Sequence, residues 1–247
     1  MNLKHFEQYN FKGEPLYILP KPRNGLEKGT VYFRGELIRG FPKIKRILML
    51  KNGIKKYFDG TFGVEEKIDG YNVRMCAVSG EVLVFTRGGF ICPFTLSRVR
   101  EDENVCDFLM SNPDLVLCVE MAGIRNPYVP KDYPVGDIGF FAFDIRRKET
   151  NEPLPLLERR KLLSEWDIPQ VELLGEFSPS DGEKVMEVVE RLNCEGREGI
   201  VMKSLDMRVQ LKYTTHTTNV ENVEYAFRYP FDFGRDFIFS RLIREGF

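Results

Sequence analysis

Between residues 61 and 87 the chain alternates strand-like runs with tight turns, and this meander constrains the fold more than any other feature. TFGVEEKI leads into Asp69-Gly70, YNVRMCAV follows, and EVLVFTR comes after Ser79-Gly80. Apolar, β-branched and aromatic runs joined by short glycine turns are the pattern of antiparallel hairpins. LVLCVEMAG and IGFFAFDI have the form of buried strands, and GIVMK and RVQLKY add two more. Residues 95–110 read as one helix, ended by Asn112-Pro113. PLLERRKLLSEW, with Pro155 near its first turn, reads as an amphipathic helix. So does SDGEKVMEVVERL, with Ser180 as N-cap and Glu183 three residues on, a capping box. NVENVEYAF and RDFIFSRLIREGF read as helical. The expected fold class is α+β, mixed and mainly antiparallel, without repeats or low-complexity linkers.

A chain of 247 residues holds one large domain or one and a half ordinary ones. Its 43% hydrophobic and 30% charged content is that of a soluble globular protein. The net charge of −1 means that attraction to nucleic acid has to come from a local patch. MNLKHFEQYNFKGEPLY has no apolar core and no cleavage-like site, and no run approaches the ~18 apolar residues of a membrane span. No membrane partner is expected, and the expected location is cytoplasmic. The five cysteines show no CxxC pairing, so neither a zinc site nor a disulfide framework is expected.

The chemistry concentrates in EEKIDGYNVR. Lys67, Asp69 and Gly70 stand together, with Glu65 two places ahead, Asn72 just after and Arg74 seven residues past the lysine. This grouping suits a lysine nucleophile attacking a nucleotide phosphate. A free lysine is protonated near neutral pH; burial or neighbouring positive charge frees the amine. Lys203 in GIVMK and Lys212 in QLKY are candidates to crowd Lys67 and hold phosphate in the transition state. Taken alone, Lys67 reads more readily as an exposed hairpin lysine paired with Glu65 or Glu66.

The companions sharpen that reading. Arg87-Gly88-Gly89 ends a strand where arginine would reach ribose or phosphate. Glu120 closes an apolar strand, where a carboxylate needs a partner such as a ribose hydroxyl or a metal. Phe141 and Phe143 alternate along FFAFD, a stacking surface for a purine or plain core. Glu198 opens EGIVMK and suits a magnesium ion, or an ion pair. From Leu37 to Tyr57 there are seven basic residues (Arg39, Lys43, Lys45, Arg46, Lys51, Lys55, Lys56) and no acidic one. That stretch would track an RNA backbone, or form a solvated charged face.

The ordered set KIDGYNVR, TRGG, VEMAG, FFAFD, EGIVMK and QLKY resembles motifs I, Ia, III, IIIa, IV and V of the covalent nucleotidyltransferases, the superfamily of DNA ligases, RNA ligases and mRNA capping enzymes. With YFRGELIRGFPKIKRIL and FDFGRDFIFSRLIREGF, the finer resemblance is to archaeal ATP-dependent RNA ligases. The resemblance implies an ATP-grasp-like catalytic domain of antiparallel sheets flanked by helices over 59–230. Residues 1–58 would be a basic segment packed on it, and 231–247 the start of a C-terminal helical region that is cut short. It implies that Lys67 is the adenylylated nucleophile, that Asp69 and Gly70 complete its motif, and that Glu65 reads the adenine amine. By the same resemblance Arg74 and Glu120 contact ribose, Arg87 the phosphate, and Phe143 stacks on adenine. Glu198 holds the metal, Lys203 and Lys212 bind phosphate, and Arg39 the outer phosphates. Motif V often has a second lysine where this chain has Gln210.

The implied reaction joins RNA 5′-phosphate and 3′-hydroxyl ends through lysyl-AMP and an adenylylated RNA end, with ATP as substrate and Mg²⁺ or Mn²⁺ as cofactor. A DNA ligase, a capping guanylyltransferase using GTP, or a nucleotide- or RNA-end-binding module without turnover are the alternatives. Homodimerisation is implied by the C-terminal domains of the archaeal ligases, in a region where this chain stops.

Overall fold

The computed structural model of the chain describes residues 3–126 and 130–221. The C-terminal helix, residues 222–227 of NVENVEYAF and the 231–247 unit expected from the sequence lie outside the described residues.

Four short strands open the chain: β1 (Glu7–Phe11), β2 (Glu14–Ile18), β3 (Val31–Phe33) and β4 (Glu36–Ile38). They form an antiparallel sheet in chain order. Two hairpins close through Lys12-Gly13 and Arg34-Gly35, whose φ values are 53° and 84°, and 50° and 84°. Two consecutive positive φ angles match the twist of the flanking strands. Next come β5 (Lys45–Arg46), α1 (Leu50–Tyr57), β6 (Phe62–Lys67), β7 (Tyr71–Val78) and β8 (Glu81–Thr86). Then follow α2 (Pro93–Arg100), α3 (Glu103–Ser111), β9 (Leu115–Ala122), β10 (Gly139–Arg147) and α4 (Leu156–Glu165). The last named elements are β11 (Leu173–Phe177), α5 (Gly182–Cys194), β12 (Gly199–Ser204) and β13 (Gln210–Thr214).

A second sheet has the order β10-β9-β7-β8 and a third the order β11-β6-β12-β13-β5. Every pair is antiparallel except β13 with β5, which runs parallel and sets Lys212 opposite Arg46. The antiparallel α+β expectation therefore holds. One core joins the first two sheets to α2 and α3 through Phe33, Ile38, Val73, Phe85 and Phe108. A second packs α1 and α5 on the third sheet through Ile54, Val64, Val189, Ile200 and Leu211. Residues 1–58 thus divide between the two: β1–β4 belong to the first core, β5 and α1 to the third sheet.

Two local expectations are corrected. The single helix over 95–110 is two helices, because the Asp102 side chain accepts from Val105 N–H at 3.0 Å and caps a new one. Ser180 is not the N-cap of α5; Asp181 is, and its carboxylate accepts instead from the backbone N–H and hydroxyl of Ser178. Glu183 closes no capping box and pairs with Lys51 of α1.

The decisive connection is Ile68-Asp69-Gly70. It carries the chain from β6 in the third sheet to β7 in the second. The lysine motif therefore sits where the two sheets diverge.

Candidate active site

A cavity of about 430 Å³ opens between the second and third sheets, and Lys67, Asp69 and Gly70 line it. Gly70 is required there by close approach. A Cβ at this position would lie 2.1 Å from the carbonyl oxygen of Met121 on β9, well inside contact distance. The Asp69 N–H donates to the Tyr133 hydroxyl at 3.0 Å, and its carboxylate pairs with Lys131 at 2.9 Å. Burial pushes the Tyr133 hydroxyl up to about 12, which keeps it neutral. The turn is thus held from the loop before β10, by residues that sequence reading did not single out.

Lys67 ends β6 with its ammonium 2.5 Å from Glu198, the residue just ahead of β12. The register explains the pair, since Lys67 stands opposite Gly199. Gly199 has φ +151°, and a Cβ there would meet the Tyr213 carbonyl at 2.2 Å. Burial raises the Glu198 carboxyl above the ordinary carboxylate range, against the opposing pull of the Lys67 charge. Lys212 lines the same wall from β13. Burial first, and the charges of Lys67, Arg46 and Arg87 second, lower its amine to about 8. Arg87 lines the cavity as an exposed residue just past β8, and Lys28, which the sequence did not flag, adds a further cation. This half of the cavity is built for an anion.

The opposite half is built around Glu65, whose side chain is 1% exposed. It pairs with Lys203 at 2.6 Å, with Arg160 at 3.0 Å, and with Arg159 through both carboxylate oxygens. Burial alone would raise its carboxyl, but the charges of Lys203 and Arg159 hold it below the ordinary range. An ionised carboxylate offers about four acceptor positions. All four are taken here, so the implied contact of Glu65 with an adenine amine is not the arrangement this structure shows. Lys203 is likewise committed: its ammonium donates to Glu65 and to the Phe143 carbonyl, both at 2.6 Å. It lines the cavity from within this buried cluster rather than as a free phosphate ligand. Phe143 also lines the cavity, packed edge-on against Phe41 with centroids 5.2 Å apart, while Phe141 packs on Tyr133.

Glu120 lines the cavity as well, from β9 opposite Asn72. Two of the expected residues do not line it. Arg74 is 1% exposed and donates to the carbonyls of Arg39, of Gly29 at 2.8 Å and of Thr86 at 3.2 Å. From β7 it pins the segment between β2 and β5 against β8. Arg39 is bound to Glu27 at 3.2 Å and to the carbonyls of Gly25 and Thr150. It braces that same segment. The residues missed by sequence reading, Arg159 and Arg160, sit on α4. Leu156, Arg159 and Leu163 form one buried stripe of that helix, so an arginine at apolar spacing was the available signal.

Comparison with known proteins agrees with this geometry. A family model described as RNA ligase matches residues 60–215. An uncharacterised protein of Methanocaldococcus jannaschii is 41% identical over 254 residues, covering 99% of this chain and 64% of its own length. A solved structure of an archaeal ATP-dependent RNA ligase (form 2) superposes with a TM-score of 0.87 at 46% identity, over 97% of this chain and 66% of that one. A putative ATP-dependent DNA ligase from Aquifex aeolicus superposes with a TM-score of 0.85 at 32% identity, over 98% and 67%. This chain spans about two thirds of the length of these relatives. With its motif lysine at the junction of two sheets, and with kinship along nearly its whole length, the chain belongs to the RNA ligase family.

Proposed function

We propose that the chain is the nucleotidyltransferase part of an ATP-dependent RNA ligase, and that Lys67 becomes covalently adenylylated. The observation that carries this reading is the Lys67 amine 2.5 Å from Glu198 in a cavity whose near wall also holds Lys212 and Arg87. ATP is favoured over GTP by the 46% identity to an ATP-dependent RNA ligase.

In the first step the Lys67 nitrogen attacks the α-phosphorus of ATP. An N–P bond forms, the bond to the β-phosphate oxygen breaks, and pyrophosphate leaves. The amine must shed a proton, and the Glu198 carboxylate, in contact and raised by burial, is the acceptor within reach. Lys212 and Arg87 neutralise charge gathering on the α-phosphate. In the second step an RNA 5′-phosphate oxygen attacks the same phosphorus and frees Lys67. In the third a 3′-hydroxyl attacks the activated 5′-phosphorus and AMP leaves. These are displacements at phosphorus, so positioning and charge neutralisation carry the catalysis.

No group of three or more His, Cys, Asp or Glu residues able to hold a metal occurs among the described residues. A single carboxylate plus substrate phosphates is a normal set for Mg²⁺, so Glu198 fits an ion that enters with the triphosphate. Mg²⁺ or Mn²⁺ bound there would supply charge neutralisation of the phosphates.

RNA would approach across Lys43, Lys45 and Arg46, which are exposed beside Lys212 at the open edge of the third sheet. The test is a 5′-phosphorylated RNA incubated with the chain, ATP and Mg²⁺. The expected products are a 5′-adenylylated strand and a sealed circle or dimer. An RNA left unchanged while single-stranded DNA is adenylylated and sealed would move the reading to a DNA ligase.

A further inference from the structure

We infer that Arg159 is a positioning residue that aims Phe143 at the nucleotide base. The inference deepens the proposed adenylylation and rests on it. Strand β10 pairs with β9 through Ala142 opposite Val119 and Asp144 opposite Cys118, so Phe143 is the extra residue of a β-bulge. A bulged residue leaves the ladder, and its side chain is re-aimed. The Phe143 ring consequently lines the cavity. Its carbonyl accepts from Lys203 at 2.6 Å and from the Arg159 guanidinium.

Three elements thus converge on one displaced peptide: β6 through Glu65, α4 through Arg159, and β12 through Lys203. Arg159 and Glu65 have side chains 0% and 1% exposed. Placing an arginine on the apolar stripe of a helix is costly unless its donors are used. Here the planar fork meets both oxygens of the Glu65 carboxylate and the Phe143 carbonyl together, a bidentate geometry that the point charge of a lysine does not reproduce. Glu65 lines the cavity, but its acceptor positions are filled by Arg159, Arg160 and Lys203. The cluster therefore acts on the ligand through the backbone of Phe143, fixing the height of the aromatic face over which a purine would lie. Phe41 closes the other side of that ring edge-on, at an interplanar angle of 87°.

The test compares Arg159→Lys, Phe143→Leu and the double variant, by self-adenylylation kinetics and by calorimetric titration with ATP. Thermal unfolding fixes a temperature at which each is folded. Arg159→Lys is expected to raise KM and Kd for ATP about tenfold, with kcat changed less than about threefold. Phe143→Leu should show a similar rise, and adding Arg159→Lys to it should add little, because both act on one ring. Should Arg159→Lys not fold, Arg159→Gln serves: its single amide cannot reach both partners, and the same rise is expected. An unchanged Kd for ATP in a folded Arg159 variant overturns the inference. So do effects that multiply in the double variant, which would mean that Arg159 acts independently of Phe143. A wild-type chain that binds ATP but takes no label would overturn the proposed reaction alone, and the titration would still decide the role of Arg159.

Discussion

Lys67 is flanked by one carboxylate and several cations, and the balance among them sets how the site responds to pH. Lys212 is lowered to about 8, burial first and the neighbouring cations second. Its charge is present below that value and lost as pH rises through it, so phosphate affinity should weaken above pH 8. Lys212→Arg keeps the charge and should remove that weakening, read as the Kd for ATP between pH 7 and 9.5; parallel profiles for the two proteins would contradict it. Gly70→Ala should cost roughly 1–3 kcal/mol by overpacking against the Met121 carbonyl, lowering Tm by several degrees and label uptake more than tenfold. An alanine variant with wild-type Tm and labelling would mean that β9 yields there at no cost. Much of this wall was legible in the chain, because Lys67 and Glu198 stand at strand ends and Lys212 within a short strand, in motifs of unusual residue types. Glu65 and Lys203 were legible as site residues but not in their arrangement. Their partner Arg159 arrives on a helix 94 residues after Glu65, and only packing decides whether a buried carboxylate meets ligand or protein. The carbonyl contacts of Arg74 and Arg39 were not legible for the same reason, since backbone carbonyls of a distant segment leave no trace in a motif.

Among the elements, β6–β10, β12 and β13 followed from apolar runs and glycine turns, whereas β5 and β11 did not, nor did β1–β4. Those strands are only three to five residues long and partly exposed, too short for alternation to stand out. Their paired Lys-Gly and Arg-Gly turns were the readable sign. This sheet is fastened to β8 by Glu81, which takes Lys12 and Arg34 at 2.8 and 2.9 Å, with Arg100 of α2 at 2.8 Å. Hydrogen bonds from Lys12 and Arg34 bring the Glu81 carboxyl down to about 2, from an ordinary value of 4.5. Its contribution is therefore complete above pH 4.5 and lost as pH falls toward 2. Because Glu81 is 24% exposed, solvent screening reduces that contribution to about 1 kcal/mol. Glu81→Gln should lower Tm by about 2–4 °C at pH 6 and leave it unaltered at pH 2. An equal loss at both values would show that the ion pairs carry none of it. The bulge at Phe143 was not legible, because the alternation of FFAFD reads as an unbroken strand.

Over the whole molecule, a net charge of −1 conceals a division of labour. Positive charge gathers along β5 and the cavity mouth, so nucleic-acid affinity should depend on salt through few contacts. For a single strand the slope of log K against log salt is about −0.7 per phosphate neutralised. Lys43→Ala and Arg46→Ala should each reduce that slope by about 0.7, measured by fluorescence anisotropy with a 5′-phosphorylated oligoribonucleotide. Slopes equal to wild type would place the RNA elsewhere. The junction of two sheets, with the lysine turn as their crossover, is what makes one cavity of an anion-binding wall and an aromatic one. The central claim is that Lys67 takes a nucleotide covalently. Its most direct test is incubation with α-labelled ATP or GTP and Mg²⁺, followed by a denaturing gel, for the wild-type chain and Lys67→Ala. The account predicts an acid-labile label from ATP that Lys67→Ala abolishes. Label from neither nucleotide, or label that survives the substitution, would contradict it.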